Sequence, residues 1–193
     1  MSGSAGRSAA GATSPATPVA GLDEVPDTAP PAGLTEVFRR VPTSVALLTS
    51  LGPDGPSITT VTAFCCLSLA PPLVLACLDN RSRTLGRLLD RQEFAVNVLR
   101  HSQSELAAAF ARPDTDRTAW MPSHFRLHRR VPILTDALAW ATCTVTTTHR
   151  GGDHTIIIGL VTAADHRPGR PLVRHEQQYG SWTPTPDGEP TRL

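Results

Sequence analysis

The sequence contains no lysine, so its 18 cationic side chains other than histidine are all arginines. They nearly balance 17 acidic side chains, and the formal net charge is +1 at pH 7. Proteins that bind nucleic acid usually present a strongly basic face, which a nearly neutral chain gives no reason to expect. We therefore predict no nucleic-acid partner.

Long apolar runs are also missing. A membrane-spanning helix needs roughly 18–20 apolar residues, and the best candidate, residues 67–78, is interrupted by Pro71 and Pro72. The first residues lack the charged segment followed by an apolar segment that marks a secretory signal. The sequence therefore predicts no membrane association and a cytoplasmic location.

Cysteines are few, and none forms a C-x-x-C pair. Cys65 and Cys66 are adjacent, and neighbours on a strand point to opposite faces of the sheet. We expect all four cysteines, the other two being Cys77 and Cys143, to be reduced thiols, as is usual in the cytosol.

Hydrolase and metal motifs are absent as well: the sequence has neither G-x-S-x-G nor H-E-x-x-H. His149, Asp153 and His154 cluster in sequence, but Asp153 and His154 would diverge as neighbours on a strand. Because metal ligands must converge on one point, we predict no metal site.

The composition divides the chain into three parts. Residues 1–33 are rich in Ala, Gly, Ser, Thr and Pro and contain few large apolar groups. Such a segment cannot bury enough surface to offset the entropy lost on ordering, so we predict a disordered tail. Residues 184–193 predict a flexible C-terminal tail, and residues 34–183 predict one folded domain.

Within that domain, β-branched and apolar runs outnumber helical patterns. Helical spacing of apolar residues predicts helices over residues 34–41, 82–92 and 102–112. Strands are predicted over residues 44–50, 58–69, 73–78, 93–100, 137–150, 153–164 and 171–175, with 58–69 long and 73–78 buried on both faces. Because the strands follow one another in hairpin order, we predict a mainly β fold, an antiparallel barrel with a few peripheral helices.

Three segments carry candidate binding residues. In DNRSRTLGRLL, residues 79–89, hydroxyls and arginines surround the predicted start of a helix, where free backbone N–H groups favour an anion. The alternative is an ordinary N-cap at Ser82 with solvated arginines. TTVTAF, residues 59–64, could present donors to a flat polar heterocycle or could simply reflect the β-propensity of threonine.

The third segment, GGDHTIIIG, places a histidine at the start of an apolar strand. His154 could be a structural residue bonded to neighbouring backbone, or it could face a ligand. Tyr179, the only tyrosine, follows the last predicted strand and could be a packing residue.

Seven segments occur in an order that resembles a known family, from about residue 35 to residue 182. The chain resembles the flavin reductases of two-component monooxygenase systems, which have the FMN-binding split-barrel fold. The segments are FRRVPTSVALLTS, TTVTAFCCLSLAPPLVL, NRSRTLGRLL, EFAVNVLRHSQSELAAAFA, PILTDALAWATCTV, GGDHTIIIGLV and PLVRHEQQYGSW.

The resemblance implies a site residue by residue. The flavin ring would be bordered by Pro42, Thr43, Thr60, Val61, Thr62, Ala63, Cys66 and Ser68. The flavin phosphate side would be contacted by Asn80, Ser82 and Thr84. The nicotinamide nucleotide would be contacted by His154 and Tyr179.

The implied activity is that of an NAD(P)H:flavin oxidoreductase. It would reduce FAD or FMN by hydride transfer from NADH or NADPH and supply free reduced flavin to a partner monooxygenase, as a homodimer. Because the cofactors carry this chemistry, no nucleophile or strong base is required of the protein. The alternatives are a flavin-binding carrier or sensor without reductase activity and an oxidase that retains its flavin.

The sequence departs from the family pattern at three places. Ile58 stands where the family often has glycine, and Ala63 stands where it often has serine. DRTAW, residues 116–120, lacks the usual aromatic residue directly after Asp-Arg, a role that Trp120 could take.

Overall fold

The computed structural model describes residues 31–184. The remainder of the predicted N-terminal tail, residues 1–30, and residues 185–193 of the C-terminal tail lie outside the described residues. Helix α1 begins at Pro31, three residues before the predicted start of the folded domain at Leu34.

The described residues form four α-helices, twelve strands and a short 3₁₀ turn at His101–Gln103. The helices are α1 Pro31–Arg39, α2 Arg83–Arg91, α3 Ser104–Phe110 and α4 Arg117–His124. The strands are β1 Thr43–Ser44, β2 Ala46–Gly52, β3 Gly55–Val61, β4 Phe64–Leu69, β5 Pro72–Asp79, β6 Glu93–Val98, β7 Phe125–His128, β8 Val131–Leu134, β9 Ala139–Gly151, β10 His154–His166, β11 Leu172–His175 and β12 Gln178–Ser181.

Seven antiparallel strands form the main sheet, in the order β3-β2-β6-β9-β10-β5-β4. Its two edge strands, β3 and β4, are consecutive in the chain and are separated only by Thr62 and Ala63. Two residues can join opposite edges of a seven-stranded sheet only if the sheet curls round until its edges meet. The predicted antiparallel barrel with peripheral helices is thereby confirmed, with its split at residues 62–63.

The same two residues correct the prediction of one long strand over residues 58–69. The chain leaves the sheet at Thr62 and re-enters it at Phe64 on the other edge. β-propensity is high throughout the segment, so propensity alone does not reveal the break. Only closure of the sheet requires it.

Side chains pack into two main clusters on either side of β2, which is buried on both faces. Val45 and Leu47 belong to one cluster and Ala46 and Leu48 to the other, as the alternation of a strand requires. Double burial was predicted instead for residues 73–78. In β5 most side chains are only half-buried, because its neighbour β4 is an edge strand.

Gly159 in β10 allows the sheet to pack tightly at its centre. A Cβ atom at this position would lie 2.6 Å from the Phe94 ring and 2.9 Å from Cβ of Cys143. Contacts that short do not occur between real carbon atoms, so the close approach of β10 to this ring requires glycine.

Residues 113–135, for which no helix or strand is predicted above, contain α4 and the β7–β8 hairpin. Asp116 caps α4 by accepting hydrogen bonds from the backbone N–H groups of Thr118 and Ala119. The cap places Arg117 in the first turn of α4, beside β3.

Candidate functional site

A cleft of about 250 Å³ opens where the two edges of the main sheet meet. We call it the strand-edge cleft. Four of the residues predicted to border a flavin ring are consecutive along one of its walls. The cleft is lined by residues 59–63 of β3 and the following turn, by residues 77–79 at the end of β5, and by Ser82 and His154.

The wall formed by β3 offers backbone groups to the cleft. β3 pairs with β2 on one side only, and on its other side the Ile58 carbonyl accepts a hydrogen bond from Nε of Arg117 at 2.8 Å. Backbone groups alternate in direction along an antiparallel strand, so those of Thr60 share the side of Ile58. The Thr60 hydroxyl is not free to donate to a ligand, because it donates a hydrogen bond to the Ala107 carbonyl at 2.7 Å. The groups that Thr60 presents on the side away from β2 are therefore those of its backbone, and its contact to a flavin stays a prediction.

A larger cavity of about 650 Å³ adjoins the cleft, and Thr59, Asp79 and Ser82 line both. We call it the arginine pocket. Helix α2 forms one wall, and the start of α4 with its preceding loop forms another. Its arginines are Arg81, Arg83, Arg87, Arg112 and Arg117.

These arginines are held in place mainly by carbonyl groups. Arg83 donates to the Pro113 carbonyl at 2.7 Å, and Arg117 donates to the carbonyls of Ile58, Thr115 and Pro113 at 2.8–3.1 Å. Burial, together with the like charges of Arg83 and Arg87, lowers the pKa of Arg117. Cations held this close together favour an anion between them.

Helix α2 begins at the junction of the two cavities. Ser82 occupies the N-cap position, but its side chain makes no capping hydrogen bond, so the ordinary cap predicted as the alternative does not form. The Ser82 hydroxyl remains available beside the first N–H groups of the helix. Thr84 is buried, and its hydroxyl accepts a hydrogen bond from Ser57 at 3.0 Å.

Asp79 lies at the boundary of the two cavities with its charge neutralised. The Arg81 guanidinium binds both carboxylate oxygens, through Nε at 3.2 Å and a terminal nitrogen at 2.9 Å. These hydrogen bonds lower the pKa of Asp79 to about 2. Because Arg81 is committed to this pair, its charge is less available to a phosphate than those of Arg83 and Arg112.

His154 stands at the mouth of the strand-edge cleft as the first residue of β10, opposite Asp79 of β5. Its ring nitrogen Nδ1 lies 2.7 Å from Oδ1 of Asp153, and this contact lowers the pKa of Asp153. The side chain keeps 47% of its surface exposed. Because Nδ1 of His154 is held by Asp153, Nε2 is the ring nitrogen left for a ligand. The structural alternative placed His154 against neighbouring backbone, whereas the observed partner is the Asp153 side chain.

Other predicted residues lie outside the cleft lining. Thr43 lines a separate groove under α1, which touches the cleft through Thr62. Cys66 is exposed on edge strand β4, where its sulfur lies 3.8 Å from the Ser68 carbonyl. Pro42 is exposed on the segment before β1. Their contacts to a flavin, like that of Ser68, stay predictions.

Tyr179 and Asn80 do not line the strand-edge cleft, and their side chains contact other parts of the protein. Tyr179, in β12, packs half-buried against the core cluster that contains Leu47 and Leu172, which fits the packing alternative. The Asn80 side chain bonds to the hairpin that carries His154. A nucleotide contact of Tyr179 and a flavin contact of Asn80 also stay predictions.

The sequence reasoning missed Asp79 and Arg117. The pairing of Asp79 with Arg81, two residues on, is a local signal that the sequence does contain. Arg117 reaches the pocket from a helix 34 positions after Arg83, and no sequence pattern indicates that contact. Trp120, offered as a replacement aromatic residue, packs edge-on against Phe110 with ring centroids 5.6 Å apart.

Among residues 31–184, no group of three or more histidine, cysteine, aspartate or glutamate side chains is arranged to hold a metal ion. None of the described helices combines the length and apolar character needed to cross a membrane.

The fold is that of a split barrel, and the strand-edge cleft with its adjoining arginine pocket has a shape and charge that suit a flat ligand with an anionic end. Residues 38–183 match the model of the flavin reductase like domain family. The chain belongs to this family and is a flavin reductase, which confirms the resemblance drawn from its sequence.

Individual relatives agree with this assignment. A flavin reductase (NADH) from Kitasatospora aureofaciens is 42% identical over 153 residues, covering 76% of this chain and 78% of that protein. The reductase component of a 4-nitrophenol 4-monooxygenase/4-nitrocatechol 2-monooxygenase from Rhodococcus opacus is 35% identical over 132 residues, covering 68% of this chain and 69% of that protein. The solved structure of the Streptomyces globisporus C-1027 NADH:FAD oxidoreductase SgcE6 with NAD and FAD fragments has a TM-score of 0.74 at 31% identity, covering 81% of this chain and 94% of that one.

Proposed function

We propose that this flavin reductase oxidises NADH, reduces FAD, and passes the free reduced flavin to a partner monooxygenase. One observation carries the proposal: the strand-edge cleft, with His154 at its mouth, continues directly into the arginine pocket. A flavin has the same two parts, a flat polar ring system and a phosphorylated tail.

The donor set of the cleft fits a flavin. Backbone groups of the free edge of β3 suit the polar edge of the ring, and the uncapped start of α2 with the Ser82 hydroxyl suits a phosphate. When bound, the flavin and the nicotinamide supply the hydride chemistry themselves. The residues of the chain hold the ligands, and His154 orients the nucleotide at the open side of the cleft.

The size of the arginine pocket supports FAD over FMN. FMN ends in one phosphate, whereas a cavity of about 650 Å³ with arginines on two walls extends well past the start of α2. Such a volume is typical of sites for a drug-sized ligand, as the adenylate half of FAD is. The SgcE6 relative, named an NADH:FAD oxidoreductase, agrees with this choice.

We also propose that the chain works as a homodimer in the cytoplasm. Helix α1 presents Leu34, Val37 and Phe38 to solvent with 56%, 61% and 63% of their surface exposed. Apolar faces of this kind usually mark an interface. Four free thiols fit the reducing cytoplasm. Analytical ultracentrifugation of the chain and of Phe38→Asp tests the dimer, which we expect the substitution to dissociate.

The experiment for the main proposal is a four-way assay of purified protein with NADH or NADPH and with FAD or FMN. Loss of the absorbance of the reduced nicotinamide is expected to be fastest with NADH and FAD. Equal rates with FMN would contradict the flavin choice. No turnover in any of the four, with flavin still bound, would instead favour the flavin carrier or sensor.

Release of the product has its own test. A partner monooxygenase requires reduced flavin to leave the reductase, so an unrelated acceptor of free reduced flavin, such as cytochrome c across a dialysis membrane, should be reduced. Retention of the flavin through gel filtration, with no reduction of the separated acceptor, would favour the oxidase that keeps its flavin.

A further inference from the structure

Asn80 makes three hydrogen bonds to the tip of the β9–β10 hairpin. Its backbone N–H donates to the Asp153 carbonyl at 2.9 Å. Its side-chain Nδ2 donates to the Gly152 carbonyl at 3.1 Å, and its Oδ1 accepts from the Thr155 hydroxyl at 2.7 Å. The three partners lie within two residues of His154, so Asn80 holds the backbone before this residue and the Thr155 hydroxyl after it.

In the described part of the chain, no strand lies beside the hairpin tip, because β5 ends before the tip is reached. The hydrogen bonds of Asn80 therefore hold the tip in place of a strand. The pairing of β10 with β5 stops at the register pair His154 and Asp79. Gly151, Gly152 and Asp153 continue past that pair, and Gly152 adopts a φ of +64° in the turn. Asn80, the first residue after β5, extends the contact between the two elements to the tip.

Asn80 also lies in the segment where the strand-edge cleft and the arginine pocket adjoin. It stands between Asp79, which lines both cavities, and Ser82, where α2 begins. Its side chain contacts the hairpin rather than either cavity. A movement of the hairpin relative to the segment that joins β5 to α2 must therefore break the hydrogen bonds of Asn80.

We infer that Asn80 is a positioning residue for the nicotinamide nucleotide. The side-chain amide of Asn80 holds the hairpin in place so that His154 faces the strand-edge cleft. The resemblance to the family implied a different role, contact with the flavin phosphate. The inference rests on the proposed function of His154. It predicts that loss of the amide weakens NADH binding and leaves flavin binding unchanged.

Steady-state kinetics of Asn80→Ala provide the first test. We expect the KM for NADH to rise about threefold to tenfold, the effect of losing one or two modest hydrogen bonds, with kcat at saturating NADH and the Kd for flavin unchanged. Thr155→Val, which removes one bond from the other side, should act in the same direction more weakly. Asn80→Asp keeps the acceptor for Thr155 and should restore part of the affinity.

Thr146→Ala is the matched control. Thr146 is an exposed threonine on β9 whose hydroxyl donates to the Ile158 carbonyl at 3.0 Å, so this variant also loses one hydrogen bond within the hairpin. It lies away from the tip, and its KM for NADH should equal that of the unsubstituted chain. A rise matching that of Asn80→Ala would overturn the clamp, because any loosening of the hairpin would then suffice.

Two further measurements separate the clamp from the proposed role of His154. Amide hydrogen exchange of residues 152–155 should accelerate in Asn80→Ala, and unchanged exchange overturns the clamp whatever the kinetics show. In a His154→Ala background, Asn80→Ala should add no further rise in KM. If His154→Ala itself leaves the KM unchanged, the nucleotide role of His154 fails, and with it the functional part of the inference. A rise in the flavin Kd with unchanged NADH KM would return Asn80 to the flavin phosphate.

Discussion

The two asparagines of the chain lie in contrasting regions of the barrel. Asn97, on β6, is fully buried. Its amide donates to the Leu47 carbonyl and the Thr49 hydroxyl, both at 3.2 Å, and accepts from the Leu134 N–H at 2.8 Å. Asn80 makes a similar set of hydrogen bonds at the exposed rim of the site.

The difference between the two regions is the access of water. At the rim, water can replace a lost partner, so the hydrogen bonds of Asn80 govern where a hairpin sits rather than whether the protein folds. In the core no water is at hand, and a lost partner leaves polar groups buried without a bond. Core substitutions should therefore change stability, and rim substitutions should change binding.

The largest expected effect comes from breaking the core network with Asn97→Leu. The buried Leu134 N–H would lose its acceptor, and we expect the free energy of unfolding to fall by about 2 kcal/mol, the cost of one unsatisfied buried group. Urea denaturation measures this loss. The folded fraction of Asn97→Leu should keep the KM for NADH of the unsubstituted chain. If Asn97→Leu lowers the free energy of unfolding no more than Asn80→Ala does, the contrast between the core and the rim is removed.

Substitution of His154 should produce the largest effect at the rim. His154→Ala is expected to raise the KM for NADH about tenfold, the loss of one hydrogen bond to a charged ligand, without changing the melting temperature, because the side chain is half-exposed. Steady-state kinetics and thermal denaturation check the two parts. His149→Ala, an exposed histidine on β9 opposite Ile156, is the control and should change neither. Lost stability with unchanged KM would make His154 structural.

The arginine pocket should respond more weakly. Arg83→Ala is expected to raise the Kd for FAD about threefold, the effect of one exposed charged contact, and the Kd for FMN by less. Flavin fluorescence titration measures both constants. Arg91→Ala is the control, since Arg91 lies on the same helix but donates to the Leu51 carbonyl outside the pocket. Equal changes for the two flavins would contradict the assignment of FAD.

Thiol labelling compares the regions without altering either of them. Burial raises the pKa of Cys143 to about 12, so at neutral pH this thiol stays protonated and unreactive. Cys65 and Cys66 are exposed. We expect a disulfide reagent to modify these two in the native protein and Cys143 only after unfolding, as mass spectrometry of the labelled peptides would show. Early labelling of Cys143 would mean that the core opens readily.

The sequence predicted where the strands begin and end far better than it predicted which strands lie side by side in the sheet. Alternation and β-propensity placed β2, β6, β9 and β10 within a few residues of their observed bounds, because these patterns reflect local side-chain burial. The same reasoning merged β3 with β4 and overestimated the burial of β5. Both errors arise because burial depends on which strands lie at an edge, a property of the whole sheet.

The sequence by itself determined the family, the antiparallel β architecture and the residues of the β3 wall, since ordered motifs and β-propensity are carried by neighbouring residues. Tertiary structure alone decided that the two sheet edges meet at Thr62 and Ala63, that Arg117 joins Arg83 and Arg87, and that Asn80 grips the hairpin of His154. Those contacts join residues tens of positions apart. Their formation depends on how the curled sheet brings distant segments together, and no local pattern records that geometry.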